Sequence, residues 1–393
     1  MTAPVRVGFN ARTLHFPDLR GWTRYTVTLL AELPAVGVEP VLYSDLPLDP
    51  SHLERLPAGS YTVRLGRIRP YAVWEQVWLP WACGRDRVDV LHAPANFGLP
   101  WSSPCPRVLT LHDAIAELYY APRASPRDRW RLPVVRSRLA HWSARTRAHR
   151  VITVSEHARA DLVDRLGLPA AKVRVTPEAA DPAMLRPVTD ADLARVKRGA
   201  GLSRPYVFYV GGWEERKNLP FLLRGFAGAG LDGVDLVLAG GRESQRAGLV
   251  ELAGTLGLGD RLRLLGRVEE ADLPALYAGA VCLAYPSEYE GFGLQVCEAM
   301  AVGCPVLAAR ATSLPEVVGA GGETFDLGDP GELSGLLRRV ATDPGFRADM
   351  VRRALSRSDD FSWRRTAEAT AAVYRELVAS TRRSLPCAPA ARS

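Results

Sequence analysis

At 393 residues the chain is longer than one hydrophobic core ordinarily organises, and domains of roughly 100 to 200 residues make two the expectation. Its 47% hydrophobic and 24% charged residues are near the soluble globular average, which excludes a disordered or collagenous chain. Net charge is +7, and the six cysteines (Cys83, Cys105, Cys282, Cys297, Cys304, Cys387) form no CxxC pair or metal-ligand cluster, so they read as reduced thiols in a cytoplasmic protein.

The N-terminus, MTAPVRVGFNARTL, lacks the apolar stretch of a signal peptide, and no run of about 18 apolar residues proposes a membrane span. A soluble or peripheral protein is expected. Short β-branched runs then recur at 5–9, 40–43, 88–91, 108–111, 151–154 and 173–175, with helical stretches between them. Strands alternating with helices predict a parallel sheet covered on both faces. Within this half, residues 121–150 hold nine arginines against one acid, Asp128. Such a patch suits anionic lipid at the inner membrane face as well as a merely solvated helix face. With no aromatic interleaving and no zinc-finger spacing, nucleic acid is not an expected partner.

The alternation pauses over 185–205, a Pro- and charge-rich stretch, and restarts at 206–210, 235–239, 261–265, 281–285 and 305–308. The reading is therefore an α/β protein of two doubly wound, Rossmann-like domains, 1–187 and 188–360, followed by a last helical stretch, 361–383, and a disordered tail, 384–393. Ligands of such sheets lie beyond the carboxyl ends of the strands, and two facing halves would make a cleft.

The richest stretch is PSEYEGFGLQVCEAM, residues 286–300, after an apolar strand and before an amphipathic helix. Glu290 and Glu298 are separated by seven residues, and Gly291 and Gly293 open the turn. Backbone N–H groups at the new helix start can meet an anion or sugar hydroxyls. Glu290 would sit at the cleft edge and Glu298 about two turns into the helix, where it can accept from ribose hydroxyls. The bland alternative is a pair of helix-terminal charges. A second motif, VGGWEERKNL at 210–219, places Gly212 where backbone can approach a ligand, and Arg216 with Lys217 where they can neutralise a diphosphate. Cations at a helix start oppose the dipole and so want an anionic reason.

The pattern Glu290, Gly291-Phe292-Gly293-Leu294, Glu298 resembles the Glu-x7-Glu signature of the family 4 retaining glycosyltransferases (glycosyltransferase group 1), whose architecture is called GT-B. The resemblance covers nearly the whole chain and is strongest over 206–315, and it implies that 1–187 takes the acceptor, that 188–360 takes a nucleotide sugar and that 361–383 crosses back to the first domain. It implies a retaining hexosyltransferase moving mannose, glucose or a related sugar from a UDP- or GDP-sugar, with no cofactor or metal, to a glycan, lipid-linked or small-molecule acceptor. Bacterial surface polysaccharide or natural-product glycosylation is the implied setting. Residue by residue, it implies that Lys217 matches the family's lysine at the diphosphate-binding turn, where many members carry an arginine at the position of Gly212. Val268 would lie at the base-binding edge, and Gly21 in the glycine-rich loop, with Arg20 in place of a partner glycine. His112 of Thr110-Leu111-His112-Asp113 would hydrogen-bond the donor sugar, Asp113 capping the next helix.

Asp190-Ala191-Asp192 matches a metal-binding DxD in form, but aspartates just ahead of a helical pattern are ordinary N-terminal residues. Rival classes are a dinucleotide oxidoreductase, a non-catalytic nucleotide-sugar binder, and a same-fold phosphorylase or epimerase. The first requires G-x-G-x-x-G after the opening strand, and Gly8-Phe9-Asn10-Ala11-Arg12 does not supply it. The second shares every binding residue with an enzyme and is separated from it only by turnover.

Overall fold

The computed structural model describes residues 4–17, 21–123 and 132–384. The chain divides into two compact units, one built from the chain up to Pro177 together with the segment from Trp363, the other from Glu178 to Ser362. The division thus falls before residues 178–187, which the sequence reading assigned to the first domain. Burial explains it: Met184 is 3% exposed and lies with Leu185 against Ala278, Ala301 and Val302, all in the second unit. The expected tail beyond Ser384, Arg20 and residues 124–131 of the basic stretch lie outside the described residues.

In the first unit the strands are β1 (Val5–Asn10), β2 (Val38–Ser44), β3 (Thr62–Leu65), β4 (Val90–Ala93), β5 (Arg107–Thr110), β6 (Arg150–Thr153) and β7 (Val173–Val175). Among the described residues they form one sheet in the order β3-β2-β1-β4-β5-β6-β7, every pairing parallel. The second unit carries β8 (Tyr206–Gly211), β9 (Asp235–Gly240), β10 (Leu262–Gly266), β11 (Cys282–Tyr285), β12 (Val306–Ala309) and β13 (Glu323–Phe325). Their order is β10-β9-β8-β11-β12-β13, again parallel throughout. Central strands such as β4, β11 and β12 are buried at every position, as parallel strands covered on both faces must be. The reading missed β3 and β13. Both are short edge strands with half-buried residues, so neither shows a continuous apolar run.

Helices cover the sheets through regular apolar stripes. In the helix Leu132–Thr146, Ala140 and Ala144 enter the core with Leu109, Leu111 and Val151. Leu139 and Trp142 on the same helix stay 59% and 45% exposed. In the helix Trp363–Ser384, Trp363, Ala367, Ala371, Tyr374 and Leu377 are buried at helical spacing. Glu376 ties this helix to Arg150 (2.5 Å) and Arg174 (3.2 Å) at the starts of β6 and β7. No helix among the described residues is long and apolar enough to cross a membrane.

His92 in β4 is fully buried, its Nδ1 2.7 Å from the Tyr374 hydroxyl and its Nε2 2.8 Å from the Thr110 hydroxyl. Burial, with a smaller effect of His112, pushes its pKa from 6.5 down to about 3. A depressed histidine contributes stability above its unfolded pKa and loses it as pH falls from 6.5 toward 3. Below pH 6.5 the contribution fades at up to about 1.4 kcal/mol per pH unit for one proton. Denaturant unfolding at pH 7.5 and pH 4.5 should therefore show a smaller acid loss in His92→Gln than in the wild type. Equal losses would mean that His92 is not held neutral.

Candidate functional site

In the second unit the strand order reverses between β8 and β11, and the carboxyl ends at such a reversal form the ligand crevice of an open parallel sheet. Both principal motifs leave from these two strands. β8 runs through Gly211-Gly212-Trp213 into the 3-10 turn Glu215–Lys217, which ends on Asn218 at φ 50°. Asparagine is among the few residues that take this left-handed position readily. β11 runs through Pro286 to Glu290 and then into the helix Leu294–Ala301. Gly293 starts that helix at φ 110°, and a Cβ there would lie 2.8 Å from Leu314 Cδ2, so glycine is needed for conformation and for space.

The two turns clasp each other. Arg216 offers its carbonyl to the Glu288 N–H (2.7 Å) and the Ser287 hydroxyl (3.2 Å), while its Nη1 donates to the Tyr289 carbonyl (3.0 Å). They meet at one carboxylate oxygen. Glu290 Oε1 accepts from Lys217 Nζ (2.5 Å), Ser287 Oγ (2.6 Å) and Arg216 Nη1 (3.0 Å). The Tyr285 hydroxyl accepts from Lys217 (2.6 Å) and faces both Glu290 Oε1 (3.2 Å) and Gln295 (2.9 Å). Lys217 is 4% exposed and Glu290 8%.

Burial pushes the Glu290 carboxyl up, but Lys217 and Arg216 outweigh it and hold the pKa below the usual carboxylate value. Burial lowers the Lys217 ammonium; Glu290 opposes this and Arg216 adds to it. Besides burial, both directions come chiefly from two cations sharing one buried anion; the trio by itself carries a net positive charge, and the exposed Glu214 carboxylate adds a smaller attraction for Lys217. Such a site is prepared for a further anion.

Glu298, two turns along, is 2% exposed and accepts the Tyr277 hydroxyl at 3.0 Å. Gly291, Phe292 and Leu294 complete the turn between the two glutamates, Phe292 being buried with its ring 5.6 Å from that of Phe361. A Cβ at Gly212 would run into the exposed Glu214 carboxylate, so this chain fills that position with an acid from two residues on. Val268 follows β10, two strands removed from β8, and is outside the Glu290 hydrogen-bond set. Asp192 is spent on a capping box, accepting from the Thr189 backbone N–H (3.1 Å) and hydroxyl (2.6 Å). The DxD aspartates are helix-start residues, as read.

The first unit reverses its strand order between β1 and β4. Gly21 opens the helix Gly21–Glu32 after β1, and a Cβ there would meet nothing within 4 Å, so local packing does not demand glycine. His112 follows β5. Its N–H donates to Asn96 Oδ1 (2.8 Å), and its Nε2 lies 3.0 Å from the Pro94 carbonyl, an acceptor only. Nε2 therefore carries the proton, and in the neutral ring Nδ1 is the acceptor. The ring is held edge-on to Tyr25 (4.6 Å) and tilted against Trp22 (6.5 Å). Asp113 accepts the Ile115 N–H at 3.0 Å, a capping contact. His112 and Glu290 belong to different units.

Two family models match the chain: "Glycosyl transferases group 1" over residues 190–357 and "Glycosyltransferase Family 4" over residues 19–183. The O-antigen chain mannosyltransferase B of Escherichia coli is 32% identical over 301 residues, 76% of this chain and 77% of that protein. The chain belongs to the family 4, group 1 glycosyltransferases. The D-inositol 3-phosphate glycosyltransferase of Salinispora tropica is 34% identical over 255 residues, 61% of this chain and 53% of that protein, so this family member aligns with about half of that relative's length. Among solved structures, Anabaena HepE in complex with UDP and glucose has a TM-score of 0.70 at 19% identity, covering 97% of this chain and all of that one. WaaG, a glycosyltransferase involved in lipopolysaccharide biosynthesis, has a TM-score of 0.71 at 14% identity, covering 94% and 99%. The fold of this family 4 member is the GT-B class.

Several residues of the site were not singled out in the sequence. Thr312 and Ser313, just after β12, fasten the turn that carries Glu290: Thr312 Oγ1 accepts the Glu290 N–H (3.0 Å), and Ser313 Oγ reaches the Glu290 (3.1 Å) and Phe292 (2.8 Å) carbonyls. Thr312 holds φ 49° to do so, an unusual value for a β-branched residue. Ser287 and Tyr285 stood inside or beside the quoted motif without a role. The rule that ligands sit at strand carboxyl ends would have pointed to 312–313 once β12 was recognised.

Proposed function

We propose that this family 4 member is a retaining hexosyltransferase that takes mannose, glucose or a close relative from a UDP- or GDP-sugar without a metal ion. The observation that carries the reading is the net-positive trio of Arg216, Lys217 and Glu290 at the β8/β11 crevice. A leaving diphosphate gathers negative charge as the bond from sugar carbon to phosphate oxygen breaks, and two fixed cations with the N–H groups of the Gly291–Leu294 turn can absorb it. The acceptor oxygen bonds to that carbon on the same face, and its proton passes to the departing phosphate oxygen. Glu290 sets the cations and faces the positive charge growing on the sugar, Glu298 serves the ribose, and His112 is a hydrogen-bond partner of the donor sugar. The first unit takes the acceptor, a glycan, a lipid-linked sugar or a small molecule. The reading includes work at the cytoplasmic membrane face, supported by exposed Arg138 and Arg145 on the helix Leu132–Thr146.

A mass-spectrometric panel of nucleotide sugars tests the donor assignment, with slow hydrolysis of a UDP- or GDP-hexose expected and undiminished by EDTA. Complete loss restored by manganese would reject the metal-free reading, and no turnover of any donor would leave a binding protein. Glu290→Gln removes the anion that competes for Lys217, so it should hold the nucleoside diphosphate at least as tightly while turning over roughly tenfold slower or worse. Proton NMR of the product linkage should show the donor's anomeric configuration, and an inverted linkage would refute retention. Sedimentation with anionic vesicles at low salt, lost at high salt, is expected of the basic helix; indifference to anionic lipid would remove the membrane from the proposal.

A further inference from the structure

The first unit encloses, by itself, a cavity of about 1160 Å³. It is bounded by the chain after β1, the start of the helix Gly21–Glu32, residues 71–76, residues 97–101 and the helix Leu132–Thr146. That volume is at or above the upper end of small-molecule sites, roughly 300 to 1,000 Å³.

Its wall is dominated by Phe16, Trp22, Phe97, Trp101, Leu139 and Trp142. All but Phe97 are among the large apolar side chains left exposed, from 38% at Trp22 to 60% at Trp101. Apolar side chains left in water and gathered on a concave wall mark a surface that something covers. The rings are mutually braced, Trp22 edge-on to Phe97 at 5.7 Å and Trp101 edge-on to Trp142 at 6.4 Å. A braced aromatic wall loses little freedom when a ligand arrives.

The polar groups of the wall distinguish between occupants. Arg12 is paired with Asp45 (3.3 Å) and lies over the Tyr71 ring (3.8 Å). Gln76 donates to Glu75 (2.6 Å) and accepts the Trp101 N–H (2.8 Å). These groups are committed to one another, the Thr23 hydroxyl donates to the Thr13 carbonyl (3.4 Å), and the unpartnered hydroxyl oxygens of Thr13 and Ser143 are buried out of reach of solvent. A glycan presents several hydroxyls per ring, each needing a partner once it leaves water, and would find few here. An apolar body needs none. At the side of the cavity Arg136 lies 4.8 Å over the Phe97 ring and, among the described residues, makes no ion pair; its charge acts on Glu75 of the same wall without a direct contact, so its guanidinium can still meet an anionic head. Trp22 lines the cavity and also lies against His112, 6.5 Å ring to ring.

We propose that this cavity holds the apolar body of an amphiphilic acceptor, its nucleophilic oxygen placed past Trp22 beside His112. The proposal rests on the transferase reading above and narrows its acceptor from three classes to one chemistry. An isoprenoid lipid and an aromatic aglycone both present that chemistry.

Calorimetry on the full chain distinguishes them with three probes: farnesyl phosphate below its micellar concentration, 4-methylumbelliferone and mannotriose. At least one apolar probe should bind, and Leu139→Asp and Trp101→Ala, both at exposed positions, should each weaken it by about tenfold or more with nucleoside diphosphate affinity unchanged. Binding of farnesyl phosphate alone assigns a lipid acceptor, and of 4-methylumbelliferone alone an aromatic one. Mannotriose binding as tightly as either, no binding by any probe, or apolar binding indifferent to both substitutions overturns the proposal. Donor hydrolysis on the same preparation keeps the two readings apart. Hydrolysis without apolar binding sinks only the acceptor class, whereas substitution-sensitive apolar binding without hydrolysis leaves an apolar site in a protein that is no transferase.

Discussion

Sharing of Glu290 Oε1 by Lys217 and Arg216 is the constraint around which the second unit's crevice is arranged. Two cations placed side by side out of water repel each other, and at a helix start they oppose the dipole as well. A single buried carboxylate makes the arrangement tolerable without neutralising it. The residual positive charge is fixed in place before any ligand arrives, so no reorganisation is required when negative charge develops on a leaving group. Glu290 thereby combines two tasks under the proposed function: it holds the cations, and it would be a fixed anion beside a sugar attached to their diphosphate.

The fold supplies the geometry that this charge balance needs. Parallel pairing of β8 with β11 brings the GGWEERKN turn and the SEYEGFG turn to the same edge, and β12 brings Thr312 and Ser313 beside them. In the first unit a similar logic supports His112. Behind it Tyr25 lies 3.5 Å from Thr110 Oγ1, which meets His92, which meets Tyr374 of the last long helix. The middle of the helix Trp363–Ser384 is therefore part of the layer under His112, although Tyr374 is more than 260 residues away in sequence. Neutral His92 suits this position, since a charged imidazole would have no counter-ion there.

Most of the fold was legible because parallel strands buried on both faces leave short, continuous apolar runs, and eleven such runs were visible. β3 and β13 were not, since an edge strand of three or four half-buried residues has no such run. The boundary was misplaced because proline and charge mark where chain is irregular, not which core it packs on; Met184 decides that by burial. At the site, Glu290, Arg216 and Lys217 were legible as types whose charge wants a partner. That they share one oxygen was not, because it depends on register between β8 and β11. The aromatic cavity was invisible for the same reason. Its wall comes from six separated stretches, and none is unusual alone.

The central claim is that Lys217 and Arg216 are held for a diphosphate and not for the fold. Calorimetric titration of wild type and Lys217→Ala with a nucleoside diphosphate and with the matching nucleoside separates the two. The account predicts that Lys217→Ala weakens the diphosphate by about 1.5 to 3 kcal/mol, roughly ten- to a hundredfold, and leaves the nucleoside nearly unchanged. Equal losses for both ligands, or no loss for either, would contradict it.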